Sequence, residues 1–233
     1  MAFEVTSASA DASQNRDEAR VSVLCQWQDL NRDQRGTPAS GAWAGGGVPL
    51  DILAGCPHAG HVDVTLRHAR PQDAIAIASV HVASWQMAYG GLLPAEFLAS
   101  LSAAARARTW TEILERTPKR EATILVAEVN GVIIGFAAVT RTTDGEPEPG
   151  TGALRSLYVE PAFWGTGAGR ALHDRALISL VELGVAQATL WVLDDNRRAR
   201  RFYERRGWSA DGGLRTEWEA NVRLDETRYR ITL

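Results

Sequence analysis

Leu157-Tyr158-Val159-Glu160-Pro161-Ala162-Phe163-Trp164-Gly165-Thr166-Gly167-Ala168-Gly169-Arg170 reads as a strand, a glycine-rich turn and the start of a helix. Three alternate glycines ahead of a helix are more than a plain turn requires. Backbone N–H groups crowded at such a turn, with the positive end of the helix dipole behind them, form a cradle for a pyrophosphate. The ligand expected there is a nucleotide-bearing cofactor. Spacing narrows the choice. A Walker A loop needs a lysine directly after its last glycine, and Lys119 is the only lysine of the chain. A dinucleotide fingerprint places its glycines directly after the strand and a Gly or Ala at its sixth position. Here five residues separate Val159 from Gly165 and Arg170 fills that sixth position. Asp194, at the end of the next strand, imitates a ribose-binding acid, so an NAD-binding dehydrogenase stays as the weaker alternative.

A second stretch follows at a compatible distance: Asp195-Asn196-Arg197-Arg198-Ala199-Arg200-Arg201-Phe202-Tyr203-Glu204-Arg205-Arg206-Gly207-Trp208. Together the two resemble the signatures of the GNAT superfamily of N-acetyltransferases. The first matches a strand with V-x-P, then Arg or Gln followed by x-x-G-x-Gly/Ala; the second matches N-x-x-A-x-x-F-Y-E-x-x-G-F. Trp164 departs from the pattern, standing where Arg or Gln is usual. The resemblance covers about 64–233. It implies an α/β fold with a central mixed, mostly antiparallel sheet of about six to seven strands flanked by helices, and acetyl-CoA as the donor in an N-acetyltransferase reaction.

Working outward, only the part after about residue 62 carries sustained apolar periodicity, so we expect one catalytic domain over 63–233 behind an extension over 1–62. That extension is rich in Ala, Gly, Ser and Asp, and much of it reads as mobile, apart from a short docking helix near 21–30 or a misassigned start codon. Cys56, His58 and His61 are three zinc-type ligands without a fourth, so no metal is expected. The two cysteines read as free thiols. A net charge of −3 gives no footprint for nucleic acid. No apolar run reaches spanning length and no secretory segment opens the chain, so a cytoplasmic protein without membrane partners is expected. A homodimer stays open.

The periodicities predict a strand at 64–67, a helix over 71–89, a second helical region over 94–115, and strands at 122–129 and 132–140 joined by Asn130-Gly131. An exposed loop over 144–152 precedes a strand at 154–159. Leu172, Ala176, Leu180 and Val181 mark the buried face of the next helix. A strand at 188–193, a helix at 199–206 ended by a left-handed Gly207, and strands at 208–217 and 227–232 complete the chain.

For the site, the resemblance implies a V-shaped parting between the strands before the glycine turn and before Asn196. The pantetheine arm would pair with the main chain of Leu157, Tyr158 and Val159, while Gly165, Thr166, Gly167, Ala168, Gly169 and Arg170 hold the pyrophosphate. Asn196 matches a position contacting that arm, although it also suits a helix N-cap. Tyr203 matches the general acid that protonates the departing thiolate, although a core aromatic reads the same way locally. The strand offers Leu154, Arg155 and Ser156 where a related enzyme often has a glutamate base. Glu128, Glu217 and Glu219 are then unplaced candidates, and Glu160 reads as solvated. His81, Trp85 and Tyr89 recur every fourth residue; Trp85 and Tyr89 are the candidates for the acceptor pocket, against a plain core stripe. A small primary amine or a peptide N-terminus fits as acceptor. A non-catalytic acyl-CoA sensor is the rival, supported by the missing strand glutamate.

Overall fold

The computed structural model describes residues 63–141 and 150–233; the expectations for 1–62, including the docking helix and Cys56, His58 and His61, and for 142–149 lie outside the described residues. Seven strands form one sheet in the order β1-β2-β3-β4-β5-β7-β6. They are β1 (Thr65–His68), β2 (Ala122–Val129), β3 (Val132–Thr140), β4 (Thr151–Val159), β5 (Gln187–Leu193), β6 (Ser209–Glu219) and β7 (Val222–Thr232). Every pairing is antiparallel except β4 with β5. The mixed, mostly antiparallel fold expected from the sequence is the one found.

Among the described residues five α-helices flank the sheet: α1 (Ala74–Ala88), α2 (Ala95–Ser100), α3 (Ala103–Arg116), α4 (Ala168–Glu182) and α5 (Arg197–Glu204). On one face α1 and α3 bury Ile77, Trp110 and Ile113 against Val126, Phe136 and Ala138. On the other, Leu172, Ala176 and Leu180 of α4 pack fully buried against β2, β3 and β4. Each of the two leucines contributes about 1.5–3 kcal/mol of transfer free energy. Gly152 lets α4 lie close, because a Cβ there would stand 2.7 Å from Leu180 and 2.8 Å from the Thr140 carbonyl oxygen.

Four expectations need correction. Val181 is 56% exposed, since one residue past Leu180 turns it about 100° off the buried stripe; Ser179 and His173 fill the flanks instead. The helical region 94–115 is broken at Leu101, and Ser102 opens α3 by accepting the Ala105 N–H at 3.2 Å. Thr151 and Gly152, assigned to an exposed loop, are buried and already paired with β5. The last two strands run longer than expected, because Ala220 and Asn221 adopt positive φ (47° and 65°) and close a tight hairpin without the glycine that would announce it. The announced hairpin, Asn130-Gly131 with φ 51° and 78°, joins β2 and β3 as expected.

The feature that positions the site is the β4–β5 seam. The two parallel strands pair only at Thr151↔Gln187, Gly152↔Ala188 and Ala153↔Thr189. Beyond these three pairs they part, while β4 carries a register shift opposite Ala138/Val139.

Candidate active site

The parting opens into a cavity of about 640 Å³ lined by the last seven residues of β4, the glycine turn, β5, α5 and residues of β6 and β7. Its β4 side is largely main chain. The Glu160 N–H donates to the Ile134 carbonyl at 2.7 Å, so by antiparallel alternation the main-chain groups of Tyr158 and Glu160 face β3 and those of Leu157 and Val159 face the parting. The Val159 carbonyl already accepts from the Ser84 hydroxyl at 2.9 Å and the Trp164 indole N–H at 2.7 Å. The N–H groups of Leu157 and Val159 and the Leu157 carbonyl are what the strand offers to a ligand.

Gly165 and Gly167 adopt φ 84° and 97°, and Gly167 is the left-handed residue from which α4 starts. The Thr166 hydroxyl folds back onto the Phe163 carbonyl at 2.8 Å. Ala168 is fully buried, and Gly169 has ordinary φ with room for a Cβ 3.7 Å from Val159. Arg170 is exposed, 3.6 Å from Asp174 one turn on. Trp164 is anchored by its bond to Val159 and lies face-on to Arg198 of α5, whose guanidinium carbon is 3.3 Å from the indole centroid. Arg198 makes no ion pair among the described residues, and partial burial lowers its pKa.

Asn196 is buried and caps α5, its Oδ1 accepting the Ala199 N–H at 3.0 Å, and it also lines the cavity. Tyr203 is half-buried between Phe202 (centroids 5.3 Å) and Trp208 (6.0 Å), with its ring at the cavity wall. Burial, then the neighbouring Tyr158, push its pKa well above the usual phenol value. Its hydroxyl has no hydrogen-bond partner among the described residues.

The opposite wall is built from side chains. Along α1, His81 stacks on Tyr158 (4.7 Å, 24°) and Trp85 meets Tyr89 edge-on at 4.9 Å. All four lie in the cavity wall, as do Arg106 of α3 and Leu224 of β7. Arg106 sits 5.1 Å from the Trp85 ring and donates to Glu219 at 2.9 Å. Arg215 donates to Glu226 at 2.7 Å and lies 3.5 Å from Glu217.

The structure thus brings together the expected glycine turn, Leu157, Tyr158, Val159, Asn196, Tyr203, Trp85 and Tyr89. It sorts the acids. Glu128 is bound to Arg67 at the β1 edge, outside the cavity, because that arginine also bonds Asp73 and holds both carboxylates there. Glu160 is half-buried rather than solvated, with its pKa raised by desolvation. Glu217 and Glu219 line the cavity. Ser84, Arg106, Arg198 and Glu226 escaped the sequence reading. Of these, Glu226 alone carried a signal: a single acid alternating with Leu224 and Arg228 on one face of a strand.

Residues 85–208 match the Acetyltransferase (GNAT) family. Over 145 residues the chain is 32% identical to an uncharacterised N-acetyltransferase of Mycobacterium bovis, covering 60% of this chain and 85% of that protein. Over 166 residues it is 32% identical to the mycothiol acetyltransferase of Propionibacterium freudenreichii, covering 70% of this chain and 49% of that protein. Among solved structures it is similar in fold to the PaiA N-acetyltransferase from Thermoplasma acidophilum in complex with coenzyme A, with a TM-score of 0.61 at 17% identity, covering 74% of this chain and all of that one. It is likewise similar to YncA, a putative acetyltransferase from Salmonella typhimurium with acetyl-CoA, with a TM-score of 0.56 at 21% identity, covering 73% and 94%. With the family match spanning more than half of its residues, and with its sheet parted beside a left-handed glycine turn, the chain is an acyltransferase belonging to the GNAT family.

Proposed function

We propose that this chain transfers the acetyl group of acetyl-CoA to a primary amine by direct attack, through a tetrahedral intermediate. The observation that carries the reading is the parting of β4 from β5 beyond Ala153, with Leu157 and Val159 main chain along one side, Tyr203 on the other and the glycine turn at its mouth.

The residues present fit the donor. Gly165 and Gly167 take left-handed backbone at the start of α4, where unpaired helix N–H groups and the helix dipole favour a pyrophosphate. Trp164 carries no charge at the position where Arg or Gln is usual. Arg198, laid across its ring from α5, supplies a cation at the same rim. The Leu157 N–H and C=O and the Val159 N–H serve as strand-like partners for the amides of the pantetheine arm. The thioester contributes an activated acyl carbon and a thiolate leaving group. A main-chain N–H of β4 at the parting stabilises the oxyanion that forms as the amine nitrogen bonds to that carbon. When the C–S bond breaks, the Tyr203 hydroxyl donates its proton to the sulfur. Its raised pKa keeps the proton in place through neutral pH. On the acceptor side, Trp85 and Tyr89 form an apolar wall, and the carboxylates of Glu217, Glu219 and Glu226 face a cationic amine. A small amine and a peptide N-terminus both suit this wall.

The test is free-thiol release from acetyl-CoA against amines, polyamines, aminoglycosides and peptide N-termini, with calorimetric binding of acetyl-CoA to the same preparation. Amine-dependent release is expected and names the acceptor class. Tight binding with no release for any amine overturns the transfer reading, and absence of binding overturns the donor.

A further inference from the structure

Resting on that acetyl-transfer reading, we propose that Glu226 is the general base that takes the proton of the attacking amine, from the side of the sheet opposite to Tyr203. The register of the last three strands carries the placement. Glu226 pairs with Leu193 of β5 and with Arg215 of β6, so the three side chains stand side by side on one face. That face is closed by Trp85, Tyr89 and Tyr158. The neighbouring β5 and β7 residues Leu190, Val192 and Tyr229 point the other way, into the α4 core that Tyr203 joins. Tyr203 and Glu226 therefore reach one cavity from opposite faces, and Tyr158 lines that same cavity.

Direct transfer needs this arrangement. As the amine lone pair forms the N–C bond, the nitrogen loses a proton on the acceptor side; as the C–S pair leaves with sulfur, a proton is needed on the thiol side. Glu226 receives the first and Tyr203 supplies the second. The acetamide and the free thiol are the products, with no other reactant required. After turnover the Glu226 carboxyl and the Tyr203 phenolate exchange their proton with solvent.

Glu226 is equipped for this role. Both bonds from Arg215 end on Oε2, which fixes the carboxylate and leaves Oε1 without a partner among the described residues. Its side chain is 18% exposed. The groups facing it are Arg215 and Glu217 of β6, Tyr89 at the C-cap of α1, Tyr158 of β4 and, two residues along β7, Arg228, which is paired with Asp211. Burial raises the carboxyl pKa, Arg215 opposes that rise, and Glu217 adds to it. The other cavity acids are placed differently. Glu219 lies at the β6–β7 hairpin end and is tied to Arg106, whereas Glu226 pairs with β5, the strand that borders the parting.

The test compares wild type, Glu226→Gln and Glu226→Asp, using the most active amine of the panel and calorimetric acetyl-CoA binding. We expect Glu226→Gln to bind acetyl-CoA as wild type does and to lose about 100-fold or more in kcat. Wild-type kcat is expected to rise with pH through a limb above the usual carboxylate range. Glu226→Gln removes that limb, and Glu226→Asp keeps it with part of the activity. A raised KM with unchanged kcat, or an unchanged pH limb in Glu226→Gln, overturns the base assignment and leaves acetyl transfer standing. Wild type that binds acetyl-CoA but acetylates no amine overturns both.

Discussion

The two walls of the cavity are made of different material. The wall running from β4 through the glycine turn presents main-chain N–H and C=O groups, held by the sheet on one side and by the start of α4 on the other. The wall formed by α1, α3, β6 and β7 presents aromatic rings and two Arg–Glu pairs, Arg106–Glu219 and Arg215–Glu226. A main-chain wall can serve many sequences, provided the backbone takes the required path. A side-chain wall is rewritten by every substitution. The first suits a ligand part common to a whole family, and the second suits the part that differs from one member to the next.

Substitutions that act on one wall and spare the other test this division. Tyr203→Phe removes a hydroxyl and almost no volume, and should lower kcat about 100-fold with acetyl-CoA affinity unchanged, as read by thiol release and calorimetry. Because burial raises the Tyr203 pKa, the protonated acid persists on the alkaline side of the ordinary phenol range. The loss should therefore be uniform across neutral pH, and a loss confined to one limb would count against the assignment. Gly167→Val forces a β-branched residue into φ near 97°, where the left-handed backbone costs an L residue about 1–2 kcal/mol or more. Acetyl-CoA binding should weaken about 10-fold or more, with KM for the amine little changed. Arg198→Ala is the mildest: CoA should bind about 3- to 5-fold more weakly, pantetheine no differently, and the gap should shrink at high salt. Equal weakening of pantetheine would mean that the guanidinium only holds Trp164 in place.

Legibility followed the same line. Gly165 and Gly167 were readable because a left-handed backbone admits few other residues, and Asn196 because a cap sits at a fixed offset from its helix. The Asn130-Gly131 hairpin was readable for the same reason, whereas the Ala220-Asn221 hairpin hid because alanine seldom takes positive φ. Glu226 carried a local signal as a lone acid on one strand face, but its place at the parting came only through register: β7 inserts between β5 and β6, an order no local window contains. Arg198 stood inside a recognised motif, yet its contact with Trp164 joins residues on opposite sides of the opening. The missing strand glutamate, the best support for a sensor, has a counterpart on the other wall.

Three residue pairs are the whole of the bonding between β4 and β5, so the sheet behaves as two blades sharing a short hinge. Under the proposed donor site, an arm laid along Leu157 and Val159 would supply rungs that the strands do not give each other, acting as a removable strand. Unfolding would then be coupled to donor supply: at a hundredfold excess over its dissociation constant, a ligand that binds only the folded chain adds about 2.7 kcal/mol. On that reading the melting temperature of the protein would serve as a gauge of how much acetyl-CoA surrounds it.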